Sequence, residues 1–357
     1  MIGLNQHRKG FTQQLVATFS DRVGVKSGFG AFFPDKTTRT KGFSIEVERL
    51  GKKVAVDVQR CTDPIRNKFS KSTEKIFIPP MYSLSFDFTA CESYDVTFGM
   101  GQVPNEITGS SLLQSADAKL THLKDQVERA KELQRAQILQ TGIVVLKNGD
   151  NIDFKRKAES FKTLTSTARW TVYADCDPVK DLQDGCEFLR NTGRSGASTV
   201  NAIMGSTAFN NFKLSAKVKA EADIRNINRT DIQMPMMDNV SGLVFQGQVG
   251  AGDFIVNLWT YNETYENAEG NEVRYLDADK LILLPSDFQG FTGHGALPAV
   301  LGNVHDGQYV GNVEATYEVH DVIDPKKMSW EYILNSAPLA VPVSVDRIYT
   351  LTTTSAS

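Results

Sequence analysis

The sequence predicts an α+β fold, and three patterns point to it. Residues 111–141 hold one long, unbroken helical repeat. Strand-like alternation comes before it, at 43–58 and 82–88, and returns at 308–352. Between the helix and the returning strands, 158–300 mixes short helices with short strands. Helical and β-rich stretches that segregate along a chain mark an α+β architecture.

The helix comes first because nothing else in the chain is as regular. Leu112, Ala116, Leu120, Leu123, Val127 and Ala130 recur at steps of three and four. That spacing gathers them on one stripe, with Asp117, Lys124, Asp125, Glu128 and Lys131 elsewhere on the cylinder. No proline interrupts it, and Ala, Leu, Gln, Lys and Glu dominate, all good helix formers. Ser110 or Ser111 can cap its start, and Gly142 stands where a left-handed C-cap belongs. Such a helix is about 45 Å long. It reads either as a core helix across one domain or as a spine from which loops and arms hang, and the remaining elements favour the spine.

The 357 residues suffice for one large or two medium domains. Apolar content of 41% and charged content of 23% are those of an ordinary globular protein. No stretch approaches the roughly 18 apolar residues of a membrane span, and the N-terminus lacks the apolar run of a signal peptide. Cys61, Cys91, Cys176 and Cys186 are scattered, which suits reduced thiols in a cytoplasmically made protein. The net charge of -3 hides an asymmetry. Residues 1–75 hold 15 Lys+Arg against 7 Asp+Glu, and residues 251–357 hold 5 against 15. A basic front can meet nucleic acid, or it can dock on the acidic back of another copy. The second reading is favoured. The basic residues are spread through β-patterned sequence, with no ladder of aromatics for stacking bases.

The elements in order support the spine. Residues 1–33 carry a short amphipathic piece, Phe11 to Phe19, then VGVKSGFGAFFP, an extended arm whose Phe29, Phe32 and Phe33 need a surface to lie on. In 34–80, Phe43, Ile45 and Val47 alternate with polar residues. A turn at Leu50-Gly51-Lys52 then leads to Val54, Val56 and Val58, a hairpin pattern. A basic, Ser/Thr-rich stretch follows, and Pro79-Pro80 redirects the chain. Tyr82, Leu84, Phe86 and Phe88 alternate before the spine. After it, Asn148-Gly149 turns a second hairpin between 143–146 and 152–154. Asp175-Cys176-Asp177-Pro178 fits the start of a helix over 179–190, ended by Thr192-Gly193. Strands are expected at 202–204, 243–246, 254–261, 273–276 and 281–284, and a helix starts at 206–212. In the tail, 308–322 reads as one long strand, 329–334 as another, and 346–352 as the last, with Ala337–Pro342 as connection.

Chemistry-bearing constellations are sparse. His7, His122, His294, His305 and His320 show no metal-ligand spacing. Gly293-His294-Gly295 reads as a tight turn and Gly193-Arg194-Ser195-Gly196 as a plain loop. Gly24, Gly28 and Gly30 do not form a dinucleotide fingerprint, and no G-x-S-x-G elbow is present. Asp175 and Asp177 are explained by capping, and Glu263, Glu266, Glu269 and Glu272 by a solvated hairpin. The expectation is no enzyme, no cofactor and no metal. The rival reading is an enzyme with a site in 158–300, around His294 and Asp175.

Several stretches, in their order and spacing, carry a resemblance over nearly the whole chain. They are the hairpin ending in Ile76-Phe77-Ile78-Pro79-Pro80, the spine followed by the Gly142–Phe154 hairpin, and Trp170 with Asp177-Pro178. Arg274-Tyr275-Leu276, Lys280-Leu281-Ile282-Leu283-Leu284-Pro285, Asp324-Pro325 and Ser336-Ala337-Pro338-Leu339 complete them. The chain resembles the major capsid proteins of tailed bacteriophages, specifically the lambda-like major capsid protein E family with the HK97-type fold. The resemblance implies an N-terminal arm (1–33), an E-loop (34–80), a P-domain with the spine helix 111–141 (81–157), an A-domain (158–304), return strands (305–335) and a C-terminal segment (336–357). It implies pentamers and hexamers that build an icosahedral head shell around double-stranded DNA, in a virion made in the host bacterial cytoplasm. Expected partners are copies of the chain, portal and scaffolding proteins, a decoration protein in some systems, and packaged DNA through non-specific contact, but no membrane. Contacts between subunits are expected from Phe29, Phe32, Phe33, Arg49, Lys52, Lys53, Arg60, Arg66 and Lys68. A tail-tube or decoration subunit is the alternative among phage structural proteins.

Overall fold

The structure is a computed structural model that describes residues 25–47, 73–89, 109–146, 151–224, 242–267, 269–301, 309–324 and 329–354. The chain enters through a 3-10 turn at Phe29–Phe32, then β1 (Asp35–Thr37), β2 (Phe43–Val47), β3 (Thr73–Phe77) and β4 (Tyr82–Thr89). Helix α1 (Gly109–Thr141) is the spine, followed by β5 (Ile143–Val144), β6 (Ile152–Asp153) and β7 (Phe161–Thr163). Helix α2 (Pro178–Asn191), β8 (Thr199–Met204) and helices α3 (Ser206–Leu214) and α4 (Ala216–Ile224) come next. The rest is β: β9 (Leu243–Ala251), β10 (Phe254–Tyr261), β11 (Thr264–Glu266), β12 (Glu272–Arg274) and β13 (Lys280–Pro285). Then come β14 (Gly290–His294), β15 (Leu297–Leu301), β16 (Tyr309–Val313), β17 (Glu318–Asp324), β18 (Ser329–Ser336), β19 (Pro338–Pro342) and β20 (Tyr349–Thr352).

The spine runs 33 residues, about 50 Å. Ser110 and Ser111, expected to cap it, lie inside its first turn. Its end follows the sequence. Gly142 adopts φ +75°, and its N–H donates to the Ile138 carbonyl at 2.9 Å, a closure that favours a residue without Cβ. The N-terminal half lays Leu123 and Val127 on a sheet of order β17-β18-β4, against Tyr82, Leu84, Phe86 and Leu334. The C-terminal half enters the main core.

That core is split by a mixed six-stranded sheet of order β7-β20-β13-β8-β10-β9. Side chains alternate across a strand, so each central strand serves both faces. On one face Val200, Ala202, Met204, Leu281 and Leu283 meet Leu182, Cys186 and Leu189 of α2 and Phe212 of α3. On the other, Ile203, Ile282, Leu284, Trp259 and Tyr261 meet Ala136, Ile138 and Leu139 of the spine together with Phe29 and Phe33. Asp177 caps α2 as expected, its carboxylate accepting from the Lys180 N–H at 3.2 Å.

Four expectations change. In place of one strand over 308–322 there are two, β16 from Tyr309 paired with β15, and β17 from Glu318 paired with β18. Ala337–Pro342 is largely a buried strand, β19, paired with β14, and the last strand starts at Tyr349 after a 3-10 turn. Gly293-His294-Gly295 is no turn, because Gly290–His294 is a strand between β1 and β19. A Cβ on Gly293 would stand 2.6 Å from the Phe43 ring, so the glycine serves close packing. Beyond these four, β2 pairs with β3, Phe43 opposite Phe77. The expected partner strand at 54–58 and its turn lie outside the described residues, as does the Asn148-Gly149 turn.

Gly185, inside α2, offers a test of this packing. A Cβ there would lie 2.4 Å from Leu283 Cδ1 and 3.0 Å from the Tyr349 ring. In an open helix Gly→Ala stabilises by about 1 kcal/mol. Here Gly185→Ala is expected to destabilise by about 1–3 kcal/mol through overpacking, read as a lower thermal midpoint.

Candidate functional site

Residues 27–35 are held to the spine by a buried polar junction. Glu132 is fully buried (0% exposed), and isolated burial of a carboxylate costs several kcal/mol. Its oxygens are therefore filled. Oε1 accepts from the Phe29 N–H at 2.8 Å and the Tyr261 hydroxyl at 2.9 Å. Oε2 accepts from the Ser27 hydroxyl at 2.6 Å and Arg135 Nη1 at 3.4 Å. Arg135, one turn on, also donates to Ser27 Oγ at 2.8 Å, to Thr292 Oγ1 at 2.9 Å and to the Phe33 carbonyl at 3.5 Å. Asp35 completes the junction, 3.4 Å from Arg135 Nη2 and 2.9 Å from Lys131 Nζ. Lys131 also reaches Glu128 at 2.9 Å, and Glu128 takes the Tyr317 hydroxyl.

The charges set the protonation states around them. Burial pushes the Asp35 carboxyl up, but the ring of His294 and the ammonium of Lys131 beside it outweigh that and hold it well below its ordinary 3.8. Its contribution is present above that value and is lost as acid protonates the folded form. Burial, then the Glu132 charge, raises the Tyr261 phenol, and the same two causes raise Tyr275. Both phenols stay protonated, and that of Tyr261 donates to Glu132.

Lys131 is thus no solvated residue, as its place off the apolar stripe implied, but 1% exposed. Gln134, Arg135 and Gln140 are buried with it. Gln134 donates to the Tyr82 hydroxyl at 2.9 Å and accepts from the Ala340 N–H at 3.2 Å. Gln140 donates to the Tyr275 carbonyl at 2.7 Å. Arg156 bridges the Leu139 carbonyl at 2.8 Å to that of Ile348 at 3.2 Å. No periodicity could have found these residues. The available signal was their density, KEL and then QRAQILQ without a solvated face.

Phe29 and Phe33, expected to contact another subunit, are corrected to intrachain core. They are 0% and 1% exposed, Phe29 edge-on to Tyr261 at 4.8 Å and Phe33 edge-on to Phe288 at 5.6 Å, so neither ring has a face left for a neighbour. Phe32 is half-buried against the same core. Arg49, Lys52, Lys53, Arg60, Arg66 and Lys68 lie outside the described residues. Asp175 and His294 do not converge. Asp175 is exposed in the turn leading to α2, whose apolar side packs on the other core cluster, while His294 faces Asp35. Among the described residues no three His, Cys, Asp or Glu side chains gather to hold a metal, and no helix is long and apolar enough to cross a membrane.

A spine, a segment at 27–35 clasped to it, an antiparallel strand pair based in the core and a separate sheet under the spine are a specific combination. A model of the family described as phage major capsid protein E matches residues 12–353. The chain belongs to the phage major capsid protein E family. A chain described as a prophage capsid protein of E. coli CFT073 superposes with a TM-score of 0.60 at 15% identity, over 96% of this chain and 98% of that one. A phage-related protein from Bordetella bronchiseptica RB50 superposes with a TM-score of 0.50 at 13% identity, over 98% and 96%. No curated protein matches it. The fold is the HK97-type capsid fold, and the protein is a shell-forming component of the virion.

The capsid fold leaves one face of the β17-β18-β4 sheet uncovered by the spine. Directly opposed residues share a face. The spine side holds Leu84, Phe86, Tyr332 and Leu334. The outer side holds Ser83, Ser85 and Asp87 of β4, Glu331, Ile333 and Asn335 of β18, and Glu318, His320 and Val322 of β17. Three carboxylates stand there without a Lys or Arg among these residues. Glu318 is held by Asn335 at 2.8 Å and His320 at 3.0 Å.

Removing one member of a buried charge set strands the rest, at about 3–5 kcal/mol. Glu132→Ala is expected to lower stability by that amount, read as a shifted denaturant midpoint of the capsid subunit. A change within about 0.5 kcal/mol, typical of a surface site, would show that the junction does not hold the fold.

Proposed function

We propose that this capsid protein assembles as pentamers and hexamers into an icosahedral head shell around the double-stranded DNA of a tailed phage. Segment 34–80 is its E-loop, reaching across a neighbouring copy. Segments 81–157 and 305–335 are the P-domain, 158–304 the A-domain, 1–33 the arm and 336–357 the closing segment. The shell is made in the host bacterial cytoplasm, with portal and scaffolding proteins as partners and a decoration protein in some systems, and it meets DNA through non-specific phosphate contact. Its role is structural.

One observation carries the reading of contacts between copies. Strands β2 and β3 are antiparallel, with Phe43 opposite Phe77 at the core end, so the chain goes out along β2 and returns along β3. The chain between them, 48–72, holds 7 Lys+Arg against 3 Asp+Glu. The outer face of the β17-β18-β4 sheet is acidic. A basic segment and an acidic face on one subunit are complementary between two copies. Individual rim pairs are worth only about 0–1 kcal/mol, and a closed shell repeats them around every ring. Arg49, Lys52, Lys53, Arg60, Arg66 and Lys68 supply the basic side of this contact.

Because Phe43 belongs to the core, the test deletes 48–72 and joins β2 to β3 by a short turn. The variant is expected to remain a folded, soluble subunit that does not close shells, measured by light scattering and sedimentation. Shells of normal size would contradict the E-loop reading.

A further inference from the structure

His294 is the one buried histidine among the described residues, at 0% exposure, and none of the junction's hydrogen bonds includes its ring. Neither ring nitrogen has a hydrogen-bond partner among the described residues. A buried polar group left without a partner costs about 1–3 kcal/mol, so its retention asks for a reason. Its backbone is fixed, as it pairs with Thr37 of β1 and Pro338 of β19. Its carbonyl accepts from the Thr38 N–H at 3.0 Å. The ring's Nε2 stands 3.6 Å from Asp35 Oδ1, just beyond a hydrogen bond and pointing at the junction.

The ionisable groups around it can be taken element by element. From β1 comes Asp35, while Lys36 turns to the Phe291 ring at 5.1 Å. From the spine come Lys131 and Arg135, both on Asp35, with Glu128 and Glu132 behind them. The segment before β17 brings Tyr317, on Glu128. From β4 comes Tyr82, on Gln134. Strand β19 brings no ionisable side chain, and Lys41, whose carbonyl lies beside Gly295, is exposed. The connected charges are thus three carboxylates, Asp35, Glu128 and Glu132, against two cations, Lys131 and Arg135. The set carries one negative charge in excess.

We propose that His294 is a proton-operated latch between the N-terminal segment and the spine. Histidine is the side chain whose charge changes between about pH 5 and 8. The protonated ring carries N–H on both nitrogens, so its Nε2–H is aimed at Asp35 Oδ1 and its charge brings the cluster to neutrality. Loss of that proton leaves β1 held to the spine with one carboxylate unbalanced. The latch is therefore tighter in mild acid, and its added hold is lost as pH rises. Segment 25–37, which the junction clasps, is what it releases.

Hydrogen exchange of the full chain at about pH 5.5 and pH 8, corrected for the chemical exchange rate, reads the latch directly. In the wild type, protection of 25–37 is expected to fall about tenfold between the two pH values. In His294→Gln it is expected to be the same at both. Asp35→Asn, at a position 43% exposed, keeps the imidazole and removes its target, and it is expected to lose the response too. A wild type whose 25–37 protection does not change with pH would overturn the proposal. So would either variant that keeps the wild-type response. His320→Gln, at the half-buried His320–Glu318 pair, is expected to behave as the wild type.

Discussion

A carboxylate sealed from water, Glu132, and the guanidinium one turn away, Arg135, fix the relation among three parts of the chain. They join the segment at 27–35, the spine and the strand at 290–294. Neither ion could be buried alone. Each becomes tolerable because the others are placed to within a few tenths of an ångström, and that placement is what the junction specifies. Apolar packing around it, Phe29 and Phe33 against Tyr261 and Phe288, supplies affinity without direction. The ions supply direction. Their donors come from backbone as well as side chains, so the 3-10 turn at Phe29–Phe32 is held in one conformation rather than merely covered.

This division suits a shell subunit. A protein that occupies both five-fold and six-fold rings needs a frame that does not change and extensions that do. The frame is the six-stranded sheet sandwiched between α2 and α3 on one side and the spine on the other. Arg156 and Gln140 tie the end of the spine to β20 and to the strand connection at 275–277. The clasp at Glu132 fixes 27–35 to that frame, and Phe43 of β2 and Phe77 of β3 join its core. In the proposed shell, the acidic sheet under the front half of the spine then faces outward from a rigid body, so a neighbour's basic segment meets a fixed charge pattern.

Much of the frame could be read from the sequence, and the reasons are local. The spine was legible because Leu123 and Val127 obey its period and Gly142 ends it. Helix α2 was legible from Asp177-Pro178, and β10 and β13 from continuous apolar runs. What escaped depends on partners far along the chain. Lys131 sat off the apolar stripe, yet its partner Asp35 is 96 residues away, and Thr292 is 157 from Arg135. Strand β14 was hidden because its glycines, which admit the Phe33 and Phe43 rings, look like turn residues. The split of 308–322 into β16 and β17 follows from two different pairing partners, which alternation alone cannot reveal. Phe29 and Phe33 looked free only because the surface that covers them is assembled from β10, the spine and the 286–289 turn.

The central claim is that this chain is a shell builder working by self-association. Electron microscopy of the purified protein, expressed alone and with its neighbouring genes, tests it most directly. Closed spherical shells, or rings of five and six subunits, are the predicted result. A uniform small oligomer under every expression and salt condition would contradict it.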